Sequence, residues 1–168
     1  MEISRVSNED APSWTTADRS LLVEQIGSPR FEGSKLTLEA AQVDPFLKSY
    51  TLDAPSEAEC HVAFFRDQPA GELRCGPHWN GYLYVHDLVV GVAFRGQGVG
   101  KALVRHATER AKSLGLYGVT LETQNTNMPA CRLYERCGFV LGGFDRLLYQ
   151  ALTPTSTEAA LFWYWTPD

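Results

Sequence analysis

An α/β (α+β) fold, a mixed β-sheet flanked by helices, is what this 168-residue chain predicts. Three observations carry the prediction. Between residues 60 and 90, three runs of β-branched and aromatic residues are separated by turn residues, the pattern of an antiparallel meander. The longest run, Tyr82 to Val92, passes through a glycine cluster straight into helical spacing. A further strand-like run, Gly118 to Thr123, follows that helix. A strand–helix–strand piece of this kind closes as a right-handed parallel crossover.

Taken in order, Met1 to Val6 fits a short first strand, and Asp10 to Ala17 is irregular. Leu21 to Phe31 and Lys35 to Ala41, divided by Glu32-Gly33-Ser34, fit either a hairpin or a strand with a short helix. Asp44 to Tyr50, with Pro45, reads as a break, and Asp53 to Glu59 as a polar acidic loop. Cys60 to Arg66, Ala70 to Cys75 and Tyr82 to Val90 are the meander strands, joined by turns at Asp67-Gln68-Pro69 and Trp79-Asn80-Gly81. The helix from Val99 to Leu114 places Val99, Leu103, Ala107 and Ala111 on one face, and Gly115 stops it. Met128 to Arg136 reads as a short helix. Gly138-Phe139 opens a strand to about Leu152, and Ala159 to Trp165 is the last strand.

Hydrophobic content of 44% and charged content of 21% are ordinary globular values. The net charge of −5 argues against a nucleic-acid partner and suits a cationic one. The longest strongly apolar runs span about seven residues, so neither a signal peptide nor a membrane partner is expected. Cys60, Cys75, Cys131 and Cys137 lack C-x-x-C spacing, which argues against zinc and for a reduced, cytoplasmic protein.

The glycine cluster carries the first chemistry. Glycines at a strand-to-helix joint let backbone approach a ligand, and the helix N-terminus offers unpaired N–H groups to a phosphate. A nucleoside-triphosphate loop ending at Lys101 requires glycine at 95 and Ser or Thr at 102, where Arg95 and Ala102 stand. A dinucleotide fingerprint fails as well, because Lys101 and Leu103 occupy its third glycine positions. What remains is Arg95-x-x-Gly98-x-Gly100, a cradle for the pyrophosphate of a cofactor.

That loop resembles the acetyl-CoA loop of the GNAT acetyltransferase superfamily. Downstream, Asn127-x-x-Ala130-x-x-x-Tyr134-x-x-x-Gly138-Phe139 matches the family's second pattern at every position. The resemblance covers roughly residues 60 to 152 and implies a GNAT fold whose two parallel central strands splay apart around the cofactor. It implies one domain over 1–168, with substrate specificity in 1–59, the acetyl-CoA core in 60–152 and a C-terminal strand in 153–168. It places pantetheine on the backbone of Leu88, Val89 and Val90, and phosphates on Arg95, Gly96, Gln97, Gly98, Val99, Gly100 and Lys101. Asn127, Ala130 and Tyr134 complete the cofactor set, and a homodimer is a common arrangement. Further stretches resemble the streptothricin acetyltransferases: Pro45-x-Leu47-Lys48-Ser49-Tyr50, Trp79-Asn80-x-Tyr82, Leu121-Glu122-Thr123-Gln124 and Phe162-Trp163-Tyr164. They imply acetylation of a streptothricin-like cationic amine. The alternatives are a protein N-terminal acetyltransferase, which needs an open peptide groove, and a non-catalytic acyl-CoA sensor.

Acetyl transfer needs the neutral amine, and an alkyl amine is neutral in only about one molecule in 2,500 at pH 7, a cost of roughly 4.6 kcal/mol. Carboxylates that bind the ammonium and take its proton offset this. Asp87 and Glu122, on the strands expected to flank the thioester, are the candidates for substrate binding and catalysis; the competing reading makes each half of a salt bridge to an arginine. Tyr134 is expected to hydrogen-bond the departing sulfur. Trp79, Tyr82 and Tyr164 are candidate aromatic walls, and Glu158 and Asp145 candidate attractors of cations.

Overall fold

The computed structural model describes residues 1–52, 54–153 and 156–167. In chain order the elements are β1 (Glu2–Val6), β2 (Ser20–Glu32), β3 (Lys35–Ser49), β4 (Glu59–Phe65), β5 (Gln68–Pro77) and β6 (Leu83–Val90). A 3-10 turn (Val92–Phe94), α1 (Val99–Ser113), β7 (Val119–Gln124), α2 (Met128–Arg136), β8 (Val140–Asp145) and β9 (Ala160–Trp165) follow. The chain forms two compact units, Met1–Ser20, Ser49–Thr120 and Trp165–Asp168 against Leu21–Lys48 and Leu121–Tyr164. The expected specificity portion, 1–59, is therefore shared between them.

In the first unit the strands run β1-β4-β5-β6. Both β4–β5 and β5–β6 are antiparallel, so the expected meander is present. The turn between β4 and β5 sits at Arg66 and Asp67, both at positive φ, one position earlier than the sequence suggests. Two left-handed residues give the twist that a tight hairpin needs. Pro69 is thereby drawn into β5, opposite Phe64 at a register shift, where a missing N–H is tolerated. β6 stops at Val90, the end expected of the third meander strand, and Gly91 leads into the 3-10 turn. The buried face of α1 is Val99, Leu103, Val104, Ala107 and Ala111. Burying a side chain the size of Leu103 contributes about 2 kcal/mol. A Cβ on Gly71 would lie 2.9 Å from Val99 Cγ1 and 3.0 Å from Leu103 Cδ1, so glycine there lets α1 settle onto β5.

In the second unit the order is β7-β9-β8, with β2 and β3 as a separate two-stranded sheet. The ambiguous front segment is thus a hairpin, longer than expected, and the expected break at Asp44–Tyr50 is absent: β3 continues through Pro45 to Ser49. In a two-stranded sheet each strand has an unpaired edge, so a residue without an N–H costs little there. The strand expected from Gly138 to Leu152 ends at Asp145, whose Oδ1 accepts from the amides of Leu147 (2.7 Å) and Leu148 (3.1 Å) and turns the chain. Asp145 is therefore a turn residue. Leu121, Cys131, Tyr134, Phe139, Leu161 and Trp163 fill the core. Gly142 sits at a register shift where a Cβ would come 2.5 Å from the Tyr164 ring, so that ring packs over the glycine.

Of the expected acidic loop, Asp53 lies outside the described residues and Glu59 opens β4. Glu59, His61 and Cys75 bring three potential ligand atoms within 4.8 Å of one another. The carboxylate is already charge-paired: Arg110 donates to it at 2.9 and 2.7 Å, and Arg5 lies at 3.2 Å. The Arg110 bonds hold the Glu59 carboxyl down from 4.5 to about 2. His106 Nε2 is 3.0 Å from His61 Nδ1, and His61 Nε2 is 3.1 Å from Glu59, a chain of neutral rings ending on the carboxylate. Burial lowers both imidazoles.

All three groups bind protons more weakly folded than unfolded, so each contribution to stability is present above its unfolded value and fades as pH falls. Urea midpoints are therefore expected to decline below about pH 6.5, and again between about 4.5 and 2. Glu59→Gln should diminish the second phase, and the remainder belongs to Asp18, whose carboxyl the Val92 amide also holds low. An undiminished second phase in that variant would assign it to other carboxylates.

Candidate active site

The glycine loop in the first unit is built as the sequence suggests. Gly98 is the N-cap of α1 at φ 83°, no side chain caps the helix, and no acidic residue lies in its first turn. Gly96 also has positive φ, 74°. Nothing lies within 4 Å of a Cβ built at either position, so conformation rather than space demands glycine. The first-turn N–H groups and open backbone at Gly96 and Gly98 form a cradle that fits a pyrophosphate.

Two side chains of the motif have other work. Gln97 Nε2 donates to Ala93 O at 2.8 Å. The Arg95 guanidinium bonds to four backbone carbonyls, those of Ala17, Asp18, Ser20 and Val90. Val90 is one of the three residues expected to carry pantetheine on its backbone, and its carbonyl already accepts from Arg95.

Leu88, Val89 and Val90 pair with Leu73, Glu72 and Gly71. One residue earlier, Asp87 receives both arms of Arg19, at 3.1 and 3.0 Å, and each side chain is 14% exposed. A bidentate pair occupies both carboxylate oxygens. The salt-bridge reading of Asp87 is thus the one seen, and its partner lies two residues beyond the irregular segment Asp10 to Ala17.

Trp79 and Tyr82 lie before the first residue of β6, whereas the glycine loop follows its last. Asp87 itself is the fifth residue of β6, and five strand residues span about 17 Å, so these aromatics do not line it. Trp79 is 89% exposed, and Tyr82 packs edge-on against Tyr117.

In the second unit Asn127 is the N-cap of α2, its side chain accepting from Ala130 N at 3.3 Å. This explains Asn127 as the start of a helix; Ala130 takes part through its backbone N–H. Two turns on, Tyr134 is 6% exposed, its ring 5.8 Å from that of Phe139 and 6.1 Å from that of Trp163. Beside it, burial pushes the Cys131 thiol up to about 12.

Glu122 on β7 accepts a hydrogen bond from the Tyr149 hydroxyl. Glu158 accepts from Lys48 and, at 2.9 Å, from Thr126 Oγ1. A lysine on it makes Glu158 a poor attractor of a second cation. Asn125 ties the hairpin down, donating to Gly27 O at 3.1 Å and accepting from Ala159 N at 3.0 Å. Nothing local in the sequence marks Arg19, Asn125 or Tyr149 as a long-range partner, and Lys48 stands out only within the stretch Pro45 to Tyr50.

A glycine loop at a strand-to-helix joint and a buried tyrosine on an Asn-capped helix are the two halves of one family's signature. Residues 23–139 match the acetyltransferase (GNAT) family, and the chain belongs to it. Among its relatives, the streptothricin acetyltransferase of Escherichia coli is 34% identical over 167 residues, 98% of this chain and 95% of that protein. Two solved structures share 32% identity with it. One, assigned as a streptothricin acetyltransferase of Bacillus anthracis and solved with acetyl coenzyme A, has a TM-score of 0.88 and covers 99% of both chains. The other, a nourseothricin acetyltransferase, has a TM-score of 0.82 and covers 99% of this chain and 98% of that one. The protein is an acetyltransferase. Among the described residues, no helix is long and apolar enough to cross a membrane.

Proposed function

We propose that this enzyme transfers the acetyl group of acetyl-CoA to an amine, on the β-lysine moiety, of a streptothricin-type antibiotic, and so confers resistance to it in the cytoplasm. The observation that carries this reading is the extent of the similarity. The family core is shared by enzymes with many acceptors, but here the match to streptothricin acetyltransferases runs over 98% of the chain, through the front third and the C-terminal strand. Four free cysteines suit a reducing compartment.

When bound, acetyl-CoA supplies a thioester carbonyl that takes the electron pair of the amine and releases the CoA thiol. The first turn of α1, with Gly96 and Gly98, holds the phosphates. Tyr134 donates a hydrogen bond to sulfur as charge develops there; a phenol near pKa 10 cannot easily complete transfer to a thiol near 8.5, so stabilisation outweighs early protonation. Glu122, oriented by Tyr149, binds the ammonium and receives its proton. Asp87, locked onto Arg19, orients the acceptor rather than accepting the proton. Transfer is direct, in a ternary complex: a Cys131 thiol held near 12 supplies almost no thiolate at pH 7 for an acetyl-cysteine intermediate.

The test is to mix protein, acetyl-CoA and streptothricin, following free thiol and product mass. One added acetyl group with sustained thiol release is expected. Acetylation of peptide N-termini but not of streptothricin or its β-lysine moiety would replace this reading with that of a protein N-terminal acetyltransferase.

A further inference from the structure

Residues 14 to 19 form no regular element, yet side chains fasten the segment down along its length. Trp14 Nε1 donates to Glu72 Oε2 at 3.0 Å. Asp18 Oδ1 accepts from Val92 N at 2.8 Å, at the start of the 3-10 turn. Arg19 forks onto Asp87, and its carbonyl accepts from Tyr50 N at 2.8 Å. Arg95 closes the arrangement. Its Nη1 reaches Ser20 O at 3.0 Å, its Nη2 bonds to Ala17 O and Asp18 O, and its Nε reaches Val90 O at 3.2 Å. A planar fork bonded to four carbonyls on two chain segments is a use of arginine that a lysine, with one rotatable ammonium, cannot reproduce.

We propose that Arg95, the residue that heads the glycine motif, is a positioning residue for the acceptor side rather than a phosphate ligand. It clamps residues 17–20 to the end of β6 and thereby fixes the Arg19 fork on Asp87. The two ends of the motif then have separate duties: Gly96 to Gly100 present backbone to the cofactor, and Arg95 reaches away from it to hold the segment that carries Arg19. This rests on the reading of Asp87 as an acceptor-side residue. A carboxylate whose partner rides on an unclamped segment loses its fixed geometry, and misplacement by about 1 Å can cost up to about 100-fold in rate.

The experiment compares Arg95→Gln and Arg95→Lys with the parent protein. Titration with CoA should give affinities within about threefold of the parent, because no charge-assisted bond to phosphate is lost. Amide exchange should accelerate at Arg19, Ser20, Tyr50 and Val92 while global urea stability keeps its cooperativity. With streptothricin, the acceptor KM should rise about tenfold, and in an Asp87→Asn background the same substitutions should add little, since the two residues act through one arrangement. A CoA affinity weakened about tenfold or more by Gln and largely rescued by Lys would make Arg95 a phosphate ligand and overturn the proposal. Unchanged amide exchange would overturn it too, as would fully additive effects with Asp87→Asn. The CoA titration and the exchange need no acceptor, so a protein inactive on streptothricin would defeat the proposed function while leaving this inference to be decided by those two readouts. If Arg95→Gln does not fold, Arg95→Lys and Arg19→Gln, which breaks the fork without touching the motif, carry the same comparison.

Discussion

Replacing Tyr134 with phenylalanine is expected to lower kcat about 100- to 1,000-fold while the affinity for CoA stays within about threefold. The ring is nearly buried between Phe139 and Trp163, and phenylalanine keeps it, so the fold should survive. What disappears is the hydroxyl. Without it, charge building on the departing sulfur loses a donor that counts for more in the transition state than in the ground state, which is why the loss falls on kcat. Steady-state kinetics with acetyl-CoA and streptothricin, read beside a CoA titration, check this. A variant retaining more than about a third of parental kcat would reduce Tyr134 to a packing residue.

Glu122→Gln is the second large effect, a fall of about 100-fold in kcat/KM for the acceptor at pH 7. The amide is nearly isosteric and still able to accept from Tyr149, so the geometry around it is preserved while the charge that attracts the ammonium and takes its proton is gone. The pH dependence identifies the role. An amine with pKa near 10.4 becomes about tenfold more often neutral with each pH unit from 7 to 9. The variant should therefore recover much of its deficit by pH 9, approaching a parent that has no such need. A deficit that stays constant from pH 7 to 9 would mean that Glu122 holds structure instead.

What the sequence places well for both residues is the element: Tyr134 falls on the helix expected over Met128 to Arg136, and Glu122 on the strand expected over Gly118 to Thr123. The same holds for α1, whose buried face follows its 3.6-residue period, and for Gly98, where a left-handed N-cap leaves little alternative to glycine.

The errors were also local in origin. Pro45 looked like a break because proline removes a donor. In a two-stranded hairpin there is an edge where that donor is not needed, and β3 runs on. Arg95 is a different case: the motif it begins implies a phosphate ligand, and its guanidinium bonds to carbonyls at positions 17, 18 and 20.

By itself, then, the sequence determined the family, through the resemblance of two motifs, and the meander, the helix faces and the glycine loop, which depend on side-chain period or on the φ that a single residue permits. Tertiary structure alone decided how the charged side chains are partnered. Arg19 meets Asp87 across 68 positions, Lys48 meets Glu158 across 110, and Tyr149 meets Glu122 across 27. A charged side chain several bonds long accepts any partner of opposite sign within reach, and folding, not spacing along the chain, fixes which one arrives.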